Sequence, residues 1–586
     1  MSAEDATSPS AARVGDFADN HRLIILSAFA LVIGVISTAG AMMLLAAIRL
    51  FTNLFFFQSV SLAARSPAHH HLGPIVILVP AIGGLIVGFM ARFGSDKIRG
   101  HGIPEALEAI LFGKSRMSPK VAILKPLSSG IVIGSGGPFG AEGPIIMTGG
   151  AAASLLAQAF HLTAAERKAL LVAGACAGMT AVFGTPLAAV LLAVELLLFE
   201  LRPRSLLPVA LSCAVAAFLR PLWSGSGPLF PMQTSEVTVV AMFSCCVAGL
   251  ASGAVSALMT YLLYRVEDGF QRLPIHWMWW PAIGGVFVGV GGYLQPRAFG
   301  VGYDVIGDLL QNHLVLSAAL SLLLVKLCIW AVALGSGTSG GVLAPLLMIG
   351  AGVGTVLAPW LPGGSPQLWA LVCMAAILGG TMRAPLTAVV FAFGLTHDVN
   401  AILPTLLSCA IAYGFTVMVM RRSILTEKIA RRGRHVFREY GVDPLERHFV
   451  GEVMTREVIC VAASERITDV KSRYFGANQR HRAYPVVDGQ RLIGMLDREL
   501  LIGVPADQLD GPVAQLPLWQ TAVALPTDTC RIAALRLASQ SVERLPVLEN
   551  SASRRVVGIV SYQDLLKPAW VMHEEEQQRE RTLSFG

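Results

Sequence analysis

From Leu23 to Ile48 the chain carries no charged side chain. About 20 apolar residues in helical form cross a bilayer, and the run is too long for the roughly 7–15-residue core of a cleaved signal. It is predicted to be a first membrane helix. Further apolar stretches follow at about 74–92, 119–134, 144–160, 168–200, 205–222, 237–264, 279–294, 314–334, 342–360, 367–380, 384–396 and 400–420. Several are too short to span. They are broken by glycine- and proline-rich blocks, Gly134 to Gly140 and Gly335 to Gly341. Open backbone at membrane depth is tolerated where it lines a polar pathway, and such breaks in matching positions of two halves mark a transport site.

The halves do match. Pro80 to Gly84 recurs as Pro281 to Gly285, Lys125 as Lys326, Gly134 to Gly136 as Gly335 to Gly337, and Pro144 as Pro345. Thr185 to Val190 resembles Ala384 to Val389. The repeats run over about 74–222 and 279–420; counting offsets does not tell whether they are parallel or inverted.

Charge separates two parts. Residues 1–420 hold 21 Lys/Arg and 17 Asp/Glu, about 9% charged, whereas 421–586 hold 24 and 21, about 27%. The second figure is that of a water-facing domain. With 54% hydrophobic residues overall, the composition excludes a disordered or nucleic-acid-dominated chain. A basic run follows the last apolar stretch (Arg421, Arg422, Lys428, Arg431, Arg432, Arg434), which places that end in the cytoplasm by the positive-inside tendency. The reading is a polar tail at 1–21, a membrane domain at 22–434, a linker at 435–449, two soluble modules at 450–505 and 511–567, and a charged tail at 568–586. In the modules, Tyr484–Asp488 with Leu492–Leu496 and Leu545–Leu548 with Val556–Val560 read as strand pairs, with helix starts at Asp497 and Ser561. The nine cysteines are scattered and form no CxxC pair. They read as small buried hydrophobes rather than a disulfide framework or metal site.

Three glycine-rich turns open apolar helices: Gly100, His101, Gly102, Ile103, Pro104; Gly140, Ala141, Glu142, Gly143, Pro144; and Gly341, Val342, Leu343, Ala344, Pro345. Unpaired N–H groups at a helix N-terminus attract anions, and proline suits the first turn. Glu142, a lone carboxylate among glycines in an apolar region, is a functional candidate by default. An enzyme reading has one foothold: Gly337 to Gly340 fits the G-x-S-G pattern of intramembrane serine proteases, with His101 elsewhere. Ser339 would need an activating base beside it.

The three turns resemble the anion-binding motifs of the CLC chloride channel and transporter family, and the tail resembles a pair of CBS modules. The resemblance covers about residues 22–567. It implies an α-helical membrane fold of two inverted repeats followed by an α/β CBS pair, a multi-pass homodimer in the plasma or inner membrane, and one pathway per subunit for chloride or a related anion, with chloride the default. It implies that Glu142 is the gating glutamate, that Lys125 adds positive potential near the pathway, and that no cofactor is required. The serine common in the first motif is His101 here, able to donate to an anion or simply to pack. The bulky aromatic of the third motif is Leu343, and the tyrosine of the last membrane segment aligns with Leu425. The internal glutamate of proton-coupled members aligns with Leu196, beside Glu195, which is either a packing residue or a proton relay. These departures point to a channel-like protein, with a proton-coupled chloride antiporter as the alternative. In the second CBS copy, Ser561 and Asp564 match the phosphate donor and ribose acceptor of an adenine-nucleotide site; the first copy lacks the pair.

Overall fold

A computed structural model describes residues 21–434, 436, 444–476, 479, 481–505, 508–550 and 552–577. The tail expected at 1–21 lies outside them except for its last residue, as do parts of the 435–449 linker and 578–586 of the expected C-terminal tail. The chain divides into two compact units near residue 438.

The first unit is helical: α1 (His21–Phe57), α2 (Leu78–Phe93), α3 (Ile103–Phe112), α4 (Pro119–Gly134), α5 (Glu142–Gln158), α6 (Ala164–Phe183), α7 (Pro186–Leu192), α8 (Pro203–Leu219) and a single turn, α9 (Pro221–Ser224). The series then restarts with α10 (Val239–Gln271), α11 (Trp280–Leu294), α12 (Tyr303–Leu310), α13 (Leu316–Gly335), α14 (Leu343–Leu357), α15 (Pro366–Met382), α16 (Pro385–Thr396) and α17 (Ile402–Val419), and closes with α18 (Ile424–Arg431). Among the described residues, seven stretches are long and apolar enough to cross a membrane. Their outer faces leave large apolar side chains uncovered, among them Phe218 (84% exposed), Met418 (82%) and Leu403 (76%), surface that hydrocarbon rather than water would wet.

The apolar stretch at 168–200 is two helices. Thr163 caps α6, accepting from the Glu166 N–H at 3.1 Å while the Glu166 carboxylate accepts from the Thr163 N–H at 2.8 Å. Gly184 ends α6 at φ 71°, a left-handed conformation that favours glycine. Pro186 then opens α7, which widens into a π-helical turn over Ala193–Leu198.

Each repeat is larger than the sequence comparison suggests. α1 packs on α4, α5, α6 and α8, and α10 packs on α13, α14, α15 and α17, its structural twin. Contacts between α2 and α11 fix the sense of the repeat. A Cβ on Gly84 would overlap the Pro281 carbonyl, and one on Gly285 the Pro80 carbonyl; Gly88 likewise meets Met278 and Gly289 meets Ile77. Residue numbers rise along α2 as they fall along α11, so the helices cross antiparallel. Reciprocal contact between equivalent residues is the mark of a two-fold axis. The repeats are inverted.

The second unit begins at α19 (Pro444–Arg447) and α20 (Val450–Val453). Its first module comprises β1 (Val461–Ala462), α21 (Ile467–Phe475), β2 (Ala483–Asp488), β3 (Arg491–Asp497) and α22 (Arg498–Ile502), with β1 parallel and β3 antiparallel to β2. The second comprises α23 (Cys530–Gln540), β4 (Arg544–Leu548), antiparallel β5 (Val556–Ser561) and α24 (Tyr562–Gln577). The anticipated strands and helix starts are present, and α24 carries the module ten residues into the expected charged tail. Free cysteines are the rule among the described residues, and none of their His, Cys, Asp and Glu side chains cluster as a metal site.

Candidate functional site

The three glycine-rich turns meet backbone to backbone. The Gly140 N–H donates to the Gly341 carbonyl at 3.3 Å and the Gly341 N–H returns the bond at 3.0 Å. The Gly100 N–H donates to the Thr338 carbonyl at 3.2 Å, and the Gly340 N–H donates to Gly100 at 3.4 Å. A Cβ on Gly143 would overlap the His101 carbonyl, and one on Gly102 would lie 2.6 Å from the Gly143 carbonyl. Side chains are excluded because the chains already touch. Ile103, Pro104, Ala141, Pro144, Val342, Leu343, Ala344 and Pro345 are all buried around this junction.

Glu142, the first residue of α5, lies within it. Its carboxylate is fully buried, one oxygen accepting from the Ala344 N–H in the first turn of α14 at 3.1 Å. The other oxygen has no hydrogen-bond partner among the described residues. The side chain thus bridges two helix N-termini, where negative charge is favoured. A buried charged oxygen without a partner is costly and is the group that gains most from protonation or displacement.

The remaining candidates divide. His101 is buried and its Nδ1 has no partner. The Gly102 N–H, which could have faced an anion, is instead taken by the Glu105 carboxylate at 2.9 Å. Glu105 also accepts from Arg432 at 3.1 Å and lies 3.8 Å from Lys428; the sequence reading missed it, although a Glu three residues after Gly102 is a capping-box signal. Lys125 is fully buried and donates to the carbonyls of Ile98 (2.8 Å) and Gly100 (2.9 Å). Its repeat mate Lys326 does the same to Ala298 (3.0 Å) and Gly300 (2.8 Å). Both lysines hold a glycine turn in shape, a clamping role that adds to the pore electrostatics expected of Lys125. The matching turn, Gly300 to Tyr303, was also missed; Gly100, Gly102, Gly300 and Gly302 all have positive φ. The Tyr303 hydroxyl is buried without a partner.

Glu195 stands elsewhere. Its carboxylate accepts from the Leu386 N–H at 3.2 Å and the Thr387 N–H at 2.7 Å, capping α16. Of the two readings, the geometry displays the neighbouring hydrogen bond: both oxygens are held at a helix end. Leu196 and Leu425 are fully buried, and the Tyr264 hydroxyl donates to the Ile424 carbonyl next to Leu425 at 2.5 Å. Ser339 lies 2.9 Å from the Ser129 hydroxyl and 3.3 Å from that of Ser128, hydroxyls that cannot serve as the base a serine nucleophile requires.

In the soluble unit, Asp564 accepts from the Ser561 N–H (2.9 Å), the Ser561 hydroxyl (2.7 Å) and Lys567 (2.6 Å). The pair forms a cap at the start of α24. Burial would raise the Asp564 carboxyl, but the bonds from Lys567 and Ser561 prevail and hold it below the ordinary carboxylate range. In the first module the position of Ser561 is taken by Asp497, which caps α22 through the N–H of Leu500, the residue matching Asp564, at 2.9 Å.

Comparison with known proteins agrees with this geometry. The family model for the voltage gated chloride channel matches residues 83–417, and that for the CBS domain matches 450–506 and 516–569. The voltage-gated ClC-type chloride channel ClcB of Citrobacter koseri is 31% identical over 368 residues, covering 61% of this chain and 86% of that protein. ClcB of Escherichia coli O6:H1 is 31% identical over 366 residues, covering 61% and 87%. Among solved structures, a eukaryotic CLC transporter superposes with a TM-score of 0.62 at 20% identity, covering 93% of this chain and 98% of that one. A slow cyanobacterial Cl-/H+ antiporter superposes with a TM-score of 0.61 at 20% identity, covering 71% and 99%. With inverted repeats, interlocked glycine turns and a buried glutamate where they meet, the chain belongs to the voltage-gated chloride channel family and is an integral membrane protein with a C-terminal CBS pair.

Proposed function

We propose that the chain transports chloride across the membrane, that Glu142 gates the pathway, and that flow is passive rather than coupled to protons. The observation that carries the reading is the Glu142 carboxylate itself. It is bound between the N-termini of α5 and α14 by one N–H, with its second oxygen unpartnered. A chloride ion seeks the same donors, so anion and carboxylate compete, and neutralising the carboxylate opens the way. Passive flow is supported by the inner side of the pathway. Glu195 is committed to capping α16, and Leu196 and Leu425 offer nothing that binds a proton. The cyanobacterial neighbour's proton coupling, at 20% identity, bears on the fold alone. Reversal potentials of the purified protein in liposomes under crossed chloride and pH gradients test the reading. A potential set by chloride alone supports it; chloride-driven uphill proton movement at fixed stoichiometry refutes it.

Two further assignments follow the family. The protein is proposed to be a homodimer with two separate pathways. Ser561 and Asp564 are proposed to receive the phosphate and ribose of an adenine nucleotide, which would have to draw Asp564 away from Lys567.

A further inference from the structure

Where the last turns of α10 meet the junction of α17 and α18, a cavity of about 360 Å³ opens to the surface, and no residue of the glycine turns lines it. Four guanidinium groups do: Arg265, Arg421, Arg422 and Arg431. They face two carboxylates, Asp268 and Glu427. Arg431 takes both, at 2.5 and 3.2 Å, and Arg422 reaches Glu427 at 3.5 Å. Arg265 has a neutral partner, donating to the Tyr261 hydroxyl at 2.9 Å with its guanidinium 5.1 Å from that ring. Exposed Arg421 has no ion pair or hydrogen bond through its side chain among the described residues. The cavity therefore holds two more cations than anions. Guanidinium forks match the oxygens of a phosphate two at a time.

The rim selects the source of that phosphate. The apolar residues just before Arg421 are uncovered, Met418 at 82% and Val419 at 60% exposed, as is Leu258 at 47% on α10. Tyr261, 56% exposed, lines the cavity, lies one turn beyond Leu258 on α10 and bonds Arg265. Tyrosine at such a boundary marks the headgroup level, and the basic run fixes this end as cytoplasmic. Basic pockets between helices on that side suit anionic lipid headgroups. We propose that this cavity binds an anionic phospholipid, Arg265 and Arg421 gripping the phosphodiester while an acyl chain lies along Met418, Val419 and Leu258.

The test titrates the full-length protein in detergent with phosphatidylglycerol and with phosphatidylcholine, counting bound lipid by native mass spectrometry. One phosphatidylglycerol per subunit, bound at least tenfold tighter than phosphatidylcholine, is expected. Arg265→Gln with Arg421→Gln should abolish that preference, whereas Arg272→Gln, outside the cavity, should keep it. Elution volume and chloride efflux from phosphatidylcholine vesicles should stay within twofold of wild type. Should the double variant fail to fold, Arg421→Glu alone, at an exposed site, is expected to give the same loss. Equal binding of the two lipids, or equal loss in Arg272→Gln, overturns the proposal. Displacement of phosphatidylglycerol by millimolar glycerol phosphate also overturns it, assigning the cavity to a soluble phosphate.

Discussion

Replacing Glu142 by Gln removes one charge and almost nothing else. The amide oxygen still accepts from the Ala344 N–H, now at 3.1 Å from the carboxylate, and the side-chain volume is unchanged, so the glycine turns need not move. What disappears is the attraction between a full negative charge and two helix N-termini. A charge at one partly buried terminus is worth up to about 2 kcal/mol, and a hydrogen bond to a charged group roughly 1.5–3 kcal/mol. These overlap, so an entering chloride is relieved of about 2–3 kcal/mol of competition. At about 1.4 kcal/mol per tenfold, chloride should bind the variant roughly 30–150-fold more tightly. Titration calorimetry of purified protein at neutral pH measures this directly. Chloride efflux from liposomes between pH 4.5 and 8 provides the second readout. Wild-type flux should rise as pH falls, because protonation neutralises the same carboxylate, and the variant should be flat. Unchanged chloride affinity together with an unchanged pH profile would refute the competition argument and move the gate to another group.

Glu195→Ala should lower thermal stability by about 1 kcal/mol, the usual cost of a lost helix cap, and leave flux without proton movement; lost proton coupling would restore Glu195 as a relay. Lys125→Met removes the donor for two buried carbonyls and should reduce flux more than tenfold, with a milder loss for Lys125→Arg; full activity in Lys125→Met would show that the clamp is dispensable. Asp564→Ala should abolish stabilisation of the full chain by millimolar adenine nucleotide; absence of any nucleotide effect in wild type would leave the CBS pair a scaffold. Because the folded Asp564 carboxyl lies below its ordinary range, its contribution is complete above about pH 4 and is lost as pH falls further. Acid unfolding should therefore be shallower in Asp564→Ala. Crosslinking in detergent should trap a dimer, and monomer at every concentration would contradict the homodimer.

The residues differ in how much of this they disclosed in sequence. The glycine turns and Glu142 were legible because their chemistry is local: a turn, a helix start and a carboxylate adjoin in the chain. The inversion of the repeats came only through the family resemblance, since an offset of 201 between Pro80 and Pro281 is the same for parallel and inverted copies. It is settled by which carbonyl each glycine touches. α1 and α10 escaped the comparison because lipid-facing apolar helices are constrained in composition more than in identity. For Glu195 a neighbouring hydrogen bond was foreseeable but its partner was not, because it lies 191 residues away at Leu386. Lys125 belonged to a clamp whose carbonyls, Ile98 and Gly100, carry no signature of their own. The two turns differ most at His101 and Val301, and a glycine pattern with so few fixed positions does not by itself announce a twin.

The antiparallel seam between α2 and α11 has a consequence for synthesis. Gly84 and Gly88 leave a groove on α2 that α11 and the turn before it fill with the carbonyls of Pro281 and Met278. Those residues emerge from the ribosome about 200 residues later, which at roughly 5–20 residues per second takes about 10–40 s. For that interval the first repeat sits in the bilayer with its central helix unpaired and its glycine turns missing the backbone partners at Thr338 and Gly341. The nascent half is a structure awaiting its complement.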